Sequence, residues 1–317
     1  MSLSGLVIKA ISGFYTVDLD PNPAGLDQIT AQLAGRLKQE WQQTSIVAVG
    51  DRVTLFENED GTGTIDGIGD RKSVLSRTRP SPTGRRQSID QEQVLVANLD
   101  QVIFVFAAKN PAPNLRKLDR FLIVAEMNNL NTIICLNKID LDKKGKIRQK
   151  LQVYEEIGYP VIWTSVVENQ GIEELRDYLM NKITVFSGSS GVGKSSLLNA
   201  IEPGLGLKVS DVSRATGKGM HTTRYAELFP LASGGYVADT PGIRGLALFD
   251  IEYTELDAYF REMAPLVQAC QFSDCSHKHE PGCAIIEAVE NGRISPQRYD
   301  SYLRLRDEHE QIDAASY

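Results

Sequence analysis

The run Gly188-Ser189-Ser190-Gly191-Val192-Gly193-Lys194-Ser195 constrains this chain more than any other feature, because it fits the pattern G-x-x-x-x-G-K-S/T in full. Before it stands the apolar run Ile183 to Phe186, and after it Ser196-Leu197-Leu198 reads as a helix start. A strand, a glycine-rich turn and a helix in that order point backbone N–H groups at one spot, at the positive end of the helix. Such a nest takes a phosphate. Gly188 to Ser196 are therefore the phosphate-binding candidates. Lys194 is placed to bridge the β- and γ-phosphates of a nucleotide, and the Ser195 hydroxyl to ligate Mg²⁺. A strand covered in this way belongs to a parallel α/β sheet.

The surrounding pattern agrees. Short β-branched runs recur at Val102 to Ala107, Thr132 to Leu136 and Val161 to Thr164. Between them Leu115 to Asn128, Lys146 to Glu156 and Ile172 to Met180 have helical spacing. A doubly wound α/β domain over residues 94–247 is expected. Two more motifs follow its strands. Asn137-Lys138-Ile139-Asp140 puts a carboxylate at a strand end, where Asp140 can accept from both N1–H and the exocyclic amine of guanine. Adenine offers neither donor there, and a site built on such bonds discriminates by about 10⁴ or more. Asp239-Thr240-Pro241-Gly242 follows Tyr236-Val237-Ala238; Asp239 would hold Mg²⁺ through water and the Gly242 N–H would meet the γ-phosphate. Thr164-Ser165 ends another strand and could cover the base edge.

The first 70 residues read differently. Leu6 to Ile11, Phe14 to Leu19, Ile46 to Val49, Val53 to Phe56 and Thr62 to Ile68 are candidate strands, separated by turn residues. Ala24 to Gln39 stays ambiguous between helix and strand, since Gly25 and Gly35 weaken its helical periodicity. A small closed barrel over residues 1–72 would leave no exposed edge. Pro80-Ser81-Pro82-Thr83-Gly84 then suggests a linker over 73–93. Six basic residues (Arg71, Lys72, Arg77, Arg79, Arg85, Arg86) and no acidic one lie between Arg71 and Arg86, a candidate RNA contact. On charge alone a solvated linker reads equally well. The net charge of -7 argues against a chain that coats nucleic acid by bulk charge.

Three of the four cysteines cluster near the C-terminus. Cys270, Cys275, His277 and Cys283 read C-x4-C-x-H-x5-C, a closed tetrahedral shell for one structural Zn²⁺ within a mostly helical segment, 248–317. His279 could substitute for His277 and ranks second, and Cys135 on its apolar strand reads as core. Clustered cysteines of this kind suit a reducing compartment. The longest apolar run, Val102 to Ala108, is seven residues, far short of the roughly 20 a membrane span needs. Met1-Ser2-Leu3-Ser4 does not read as a secretion signal, so a cytoplasmic protein without a membrane segment is expected.

The order of the parts is unusual. In a Ras-like domain the phosphate loop comes first, then D-x-x-G, then N-K-x-D. Here N-K-I-D at 137 precedes the loop at 188, and D-T-P-G follows at 239. This is a circular permutation, tolerated where the original termini lie close together. With the barrel motif Gly50-Asp51-Arg52-Val53, the stretch Gly217-Lys218-Gly219-Met220-His221-Thr222-Thr223-Arg224 and the Cys270 to Cys283 segment, the chain resembles the bacterial small-ribosomal-subunit-dependent GTPases, the RsgA (YjeQ-like) family, over nearly its whole length.

That resemblance implies an OB-type barrel, GTP hydrolysis to GDP and phosphate stimulated by the 30S subunit, contact with 16S rRNA, and a late role in subunit maturation. It also implies that Ala31 to Lys38 is a strand, and that Gly217 to Arg224 is switch I, with Thr222 or Thr223 completing the Mg²⁺ shell. Ile243 stands where Ras-type enzymes place a water-orienting glutamine, so intrinsic turnover should be slow and His221 becomes the catalytic candidate. A monomer is expected. The alternative class is a guanine-nucleotide-gated RNA-binding switch whose hydrolysis is incidental; a metabolic kinase fits poorly with N-K-x-D. Asp140→Asn should abolish GTP binding and favour xanthine nucleotides, which present an acceptor at C2. Competition titrations with GTP, XTP and ATP check this, and equal ATP and GTP affinity in the parent would refute guanine selection.

Overall fold

The computed structural model describes residues 2–21, 25–40, 46–79, 91–207, 226–239 and 252–315. Strands β1 (Ser2–Ile11), β2 (Phe14–Leu19), β3 (Gln28–Leu33), β4 (Arg52–Glu57) and β5 (Gly63–Ile68) close into a barrel in the order β1-β2-β3-β5-β4. Period-two burial builds it. Along β3 Ile29, Ala31 and Leu33 are buried and alternate with exposed neighbours. They meet Val7, Val17, Val53, Leu55 and Ile65 in one core.

Two expectations for this region are corrected. The segment 24–39 is neither one helix nor, over Ala31 to Lys38, one strand: β3 ends at Leu33 and a short helix α1 (Gly35–Glu40) follows. Ile46 to Val49 is not a strand but a turn buried from two sides. Val47 enters the barrel core while Val49 enters the core of the next domain, which is why an apolar β-branched run stands outside any sheet.

The following Gly50-Asp51 joins the two bodies. Gly50 adopts φ +92, and a Cβ there would lie 2.0 Å from the Ala97 carbonyl oxygen. Asp51 is fully buried. It accepts the Ala48 N–H and a two-pronged pair from Arg71 Nε and Nη2, each at 2.7 Å. Arg71, expected in a basic RNA-binding run, is thus the counter-ion of a buried carboxylate; Lys72 remains exposed.

The expected linker is also revised. Residues 73–93 begin with β6 (Val74–Arg79) and end inside β7 (Gln91–Ala97), which pair antiparallel with Val74 opposite Ala97 and Arg79 opposite Gln91. Leu75, Val94 and Val96 are buried, so this ribbon is held by packing. Arg77 and Arg79 lie on β6. Pro80 to Gly84, Arg85 and Arg86 fall outside the described residues.

A six-stranded sheet follows, ordered β10-β9-β8-β11-β13-β12. Its strands are β8 (Gln101–Ala107), β9 (Asn131–Asn137), β10 (Val161–Trp163), β11 (Ile183–Ser187), β12 (Leu228–Pro230) and β13 (Tyr236–Asp239). All pairs are parallel except β12 with β13. Every residue of β8 is buried. Phe104 and Phe106 face α2 (Leu115–Met127), with the rings of Phe104 and Phe121 stacked at 5.0 Å. Ile103 and Val105 belong to the opposite core with α4 (Ile172–Leu179) and α5 (Lys194–Ile201); α3 (Lys146–Glu156) lies on the α2 side. From β8 the chain steps outward through β9 and β10, then returns to lay β11 against β8. That reversal opens a crevice at the strands' carboxyl ends, where ligands bind in such sheets.

The C-terminal segment, with α6 (Ala284–Glu290) and α7 (Pro296–Ala315), packs on the α2 face through Phe260, Met263, Ile285 and Tyr302. A buried charge network fastens it. Arg298 is fully buried and pairs with Asp119 of α2 and, through Nε at 2.6 Å, with Glu262. Tyr154 and Ser301 hydroxyls donate to the same Asp119 carboxylate at 2.7 and 2.5 Å. No helix among the described residues is long and apolar enough to cross a membrane.

Removing one member of a buried network leaves uncompensated charge, at a cost of about 3–5 kcal/mol. Arg298→Met should destabilise the α/β domain by that amount in urea unfolding. Arg304→Met, which breaks an exposed i,i+4 pair with Asp300, should cost under about 1 kcal/mol. Equal effects would contradict the assignment.

Candidate nucleotide site and metal centre

The phosphate loop leaves β11 at Ser187 and enters α5 at Lys194, where strand and helix were expected. Its glycines are forced by neighbours as well as by backbone. A Cβ on Gly188 would lie 2.3 Å from the Val105 carbonyl oxygen. Gly193, at φ +98, would place one 2.3 Å from Asn137 Nδ2. Lys194 Nζ folds back over its own loop and donates to the carbonyls of Gly188 at 2.9 Å and Ser189 at 3.3 Å. A phosphate is a stronger acceptor for that ammonium than either carbonyl. Ser190 and Gly191 form the tip, Val192 is buried beneath it, and Ser195 and Ser196 lie half-buried in the first turn of α5.

The base motif is built into the same loop. Asn137 is buried at the end of β9; its Nδ2 donates to the Val192 carbonyl at 2.9 Å, and its Oδ1 accepts from Thr164 at 3.3 Å. Lys138 adopts a left-handed φ of 60 and sends Nζ to the Gly191 carbonyl at 2.7 Å and the Asn110 carbonyl at 2.6 Å. Burial lowers the pKa of its ammonium, against the opposing pull of Asp140. Ile139 and Asp140 begin a 3-10 turn. One oxygen of Asp140 accepts from Ser165 Oγ at 2.7 Å, and the Ile139 N–H donates to the Thr164 carbonyl. Thr164 and Ser165, read as a cover for the base edge, thus support Asn137 and Asp140.

β13 ends at Asp239, in register with Phe186, one strand across from the loop. A serine hydroxyl and an aspartate carboxylate, the residue types at 195 and 239, are oxygen donors of the kind a hard Mg²⁺ ion takes. Gly242, Ile243 and the expected switch I with His221, Thr222 and Thr223 lie outside the described residues.

The second constellation lies in the C-terminal segment. One donor atom from each of Cys270, Cys275, His277 and Cys283 falls within 4.8 Å of every other. Cys270 Sγ is 4.0 Å from Cys283 Sγ and 3.6 Å from His277 Nδ1, which is 3.3 Å from Cys283 Sγ. Bonds of about 2.3 Å to sulfur give a tetrahedron edges of roughly 3.8 Å, so the four donors fit one ion of zinc's size and softness. His279 is not among them. Burial, reinforced by Cys283 and Cys270 alongside, pushes the Cys275 thiol up to about 12. A metal must displace those protons, so its affinity rises with pH. Cys135, expected as core, is fully buried on β9.

Sequence spacing missed the groups that aim these ligands. His277 Nε2 lies 2.8 Å from the Asp257 carboxylate, which holds the ring proton there and turns Nδ1 to the sulfurs. Glu280 accepts from the backbone of Ser276, Lys278 and His279, clasping the turn that carries His277. Burial works against it, yet the Ser276 hydroxyl and the backbone N–H groups of His279 and Ser276 hold Glu280 well below the usual carboxylate range. Neither residue has a motif; a carboxylate behind a ligating histidine is the one general signal available. Asp257→Asn should weaken Zn²⁺ binding about 10- to 100-fold in competition with a chromophoric chelator, without changing the circular dichroism of the metal-loaded protein.

The model of the RsgA GTPase family matches residues 68–249, and that of the RsgA N-terminal domain matches residues 4–65. The chain is 44% identical over 309 residues to the small ribosomal subunit biogenesis GTPase RsgA of Gemmatimonas aurantiaca, covering 97% of each. To the protein of that name from Thermotoga maritima it is 41% identical over 304 residues, covering 95% of each. The crystal structure of YjeQ from Thermotoga maritima superposes with a TM-score of 0.78 at 37% identity, over 98% of this chain and 99% of that one. YloQ, described as a circularly permuted GTPase, gives 0.76 at 33% identity, over 98% and 96%. With the permuted order of motifs and the sheet that carries them, these matches make the chain a member of the RsgA family of circularly permuted GTPases.

Proposed function

We propose that this GTPase binds GTP with Mg²⁺ in the crevice between β8 and β11, acts in late maturation of the small ribosomal subunit in the cytoplasm, and is stimulated by the 30S particle. The observation that carries the nucleotide reading is the contact of Asn137 with Val192 and Gly193, which joins a guanine motif to a phosphate loop. In this reading Asp140 accepts from the base, the loop N–H groups and Lys194 hold the β- and γ-phosphates, and Ser195 with Asp239 and a switch threonine, Thr222 or Thr223, holds Mg²⁺. Gly242 meets the γ-phosphate. The ion neutralises charge on the phosphates and fixes their geometry.

The Cys270, Cys275, His277 and Cys283 cluster holds one structural Zn²⁺ that orders the C-terminal segment. RNA contact falls to the barrel face and the basic ribbon, with Lys72, Arg77, Arg79, Arg85 and Arg86 as its charges. Arg71 is excluded by its pairing with Asp51. The protein acts as a monomer.

Ile243 leaves the attacking water without a side-chain partner. Phosphoryl transfer depends mostly on positioning, so the missing group keeps turnover low while binding stays tight. Docking on the subunit brings His221 of switch I to the water. GTP turnover should therefore be slow alone, fast with purified 30S particles, and not raised by 50S. His221→Ala should bind GTP and 30S normally and lose about 10²-fold of the stimulated rate. Full stimulation of that variant would assign water positioning to a ribosomal group, and equal turnover with and without 30S would refute the stimulated-enzyme reading.

A further inference from the structure

Two ammonium groups from different elements converge on Ser189, the second residue of the phosphate loop. Lys194 Nζ reaches its carbonyl at 3.3 Å, and Lys117 Nζ donates to its hydroxyl at 3.0 Å. Lys117 belongs to the first turn of α2, where Asn114 caps its backbone N–H at 3.1 Å. That turn carries Arg116 and Lys117 and no acidic residue. Cations are the wrong sign for a helix N-terminus, whose partial positive charge favours anions. An anion bound in the loop would offset that cost.

The position is also fixed. Lys117 Nζ lies 5.3 Å from the centroid of the Phe121 ring, so the ring and the Ser189 hydroxyl hold the ammonium between them. Two residues on, Asp119 is locked to Arg298, Ser301 and Tyr154. The backbone that presents Lys117 therefore has little freedom to withdraw.

We propose that Lys117 is a positioning and selectivity residue of the phosphate site. Its ammonium fastens Ser189 and sets a fixed positive charge at the mouth of the loop, favouring the triphosphate over the diphosphate. This rests on the loop being the site of the GTP phosphates. GTP carries about one more negative charge than GDP, and a charge held in place attracts the more highly charged nucleotide more strongly. The same charge, preorganised before the reaction, stabilises negative charge gathering on the transferred group.

The test is a set of affinities for fluorescent GTP and GDP analogues, measured on the full chain at low and high salt. Lys117→Gln removes the charge and keeps an N–H donor on a side chain one bond shorter; Lys117→Arg keeps the charge. Lys117→Gln should weaken GTP binding about tenfold at low salt and GDP binding about threefold or less, with the difference shrinking at high salt. Lys117→Arg should stay within about twofold of the parent. An equal loss for both nucleotides, or a Gln variant that behaves as the parent, would overturn the charge role. Lys194→Ala separates the two readings: if that variant still binds GTP normally, the loop is not the phosphate site. If Lys194→Ala fails to bind and Lys117→Gln is unchanged, the site stands and the proposal for Lys117 falls.

Discussion

The bond from Asn137 Nδ2 to the Val192 carbonyl, with Gly193 pressed against the same side chain, is the contact on which the nucleotide site depends. It joins the end of β9 to a loop that starts two strands away, across β8. Specificity for a base is useful only if the base motif and the phosphate nest keep a fixed separation, and a short buried hydrogen bond supplies that fixity. A side chain at Gly193 would push Asn137 away, so one glycine serves both the turn of the loop and the spacing of the two motifs. The contact is indifferent to chain order. The strands need only keep their places in the sheet, which is why permuting the segments preserves the arrangement.

The C-terminal segment is held by a different kind of force. Arg298, Asp119 and Glu262 sit in a core otherwise built from Phe260, Met263, Tyr302 and the apolar face of α2. Apolar residues of like volume would stabilise such an interface at least as well. What the charges add is register: a guanidinium meets two carboxylates and the Phe260 ring in one arrangement only. α2 is thereby shared, its first turn facing the phosphate loop and its body facing the metal-bearing segment.

The barrel is joined by backbone as much as by side chains. β1 is buried on both faces at Leu6, Val7 and Ile8; Val7 fills the barrel while Leu6 and Ile8 enter the larger core. The Gly50 N–H donates to the Val7 carbonyl at 2.7 Å, and the Ala97 N–H to the Val49 carbonyl at 2.8 Å. Gly50 permits that close approach, and the Asp51–Arg71 pair sits directly behind it. The barrel and the sheet thus share one hydrogen-bonded, tightly packed joint.

Motifs set by local spacing were legible in the sequence. The phosphate loop and N-K-I-D each lie at one strand end, and the cysteine–histidine cluster lies within residues 270–283, short stretches where geometry dictates which residue types stand at which interval. The parallel strands were legible too, because burial on both faces demands unbroken apolar runs. Other assignments were not. Ile46 to Val49 imitates a strand and is a turn buried between two cores, and β3 hides in a segment whose glycines and periodicity pull in different directions. Asp257 behind His277, Arg71 beneath Asp51, Lys117 against Ser189 and Arg298 against Asp119 join positions 20, 20, 72 and 179 residues apart. A charged side chain carries no periodicity that announces its partner. Only packing decides whether it is solvated, paired in a core, or aimed at a loop.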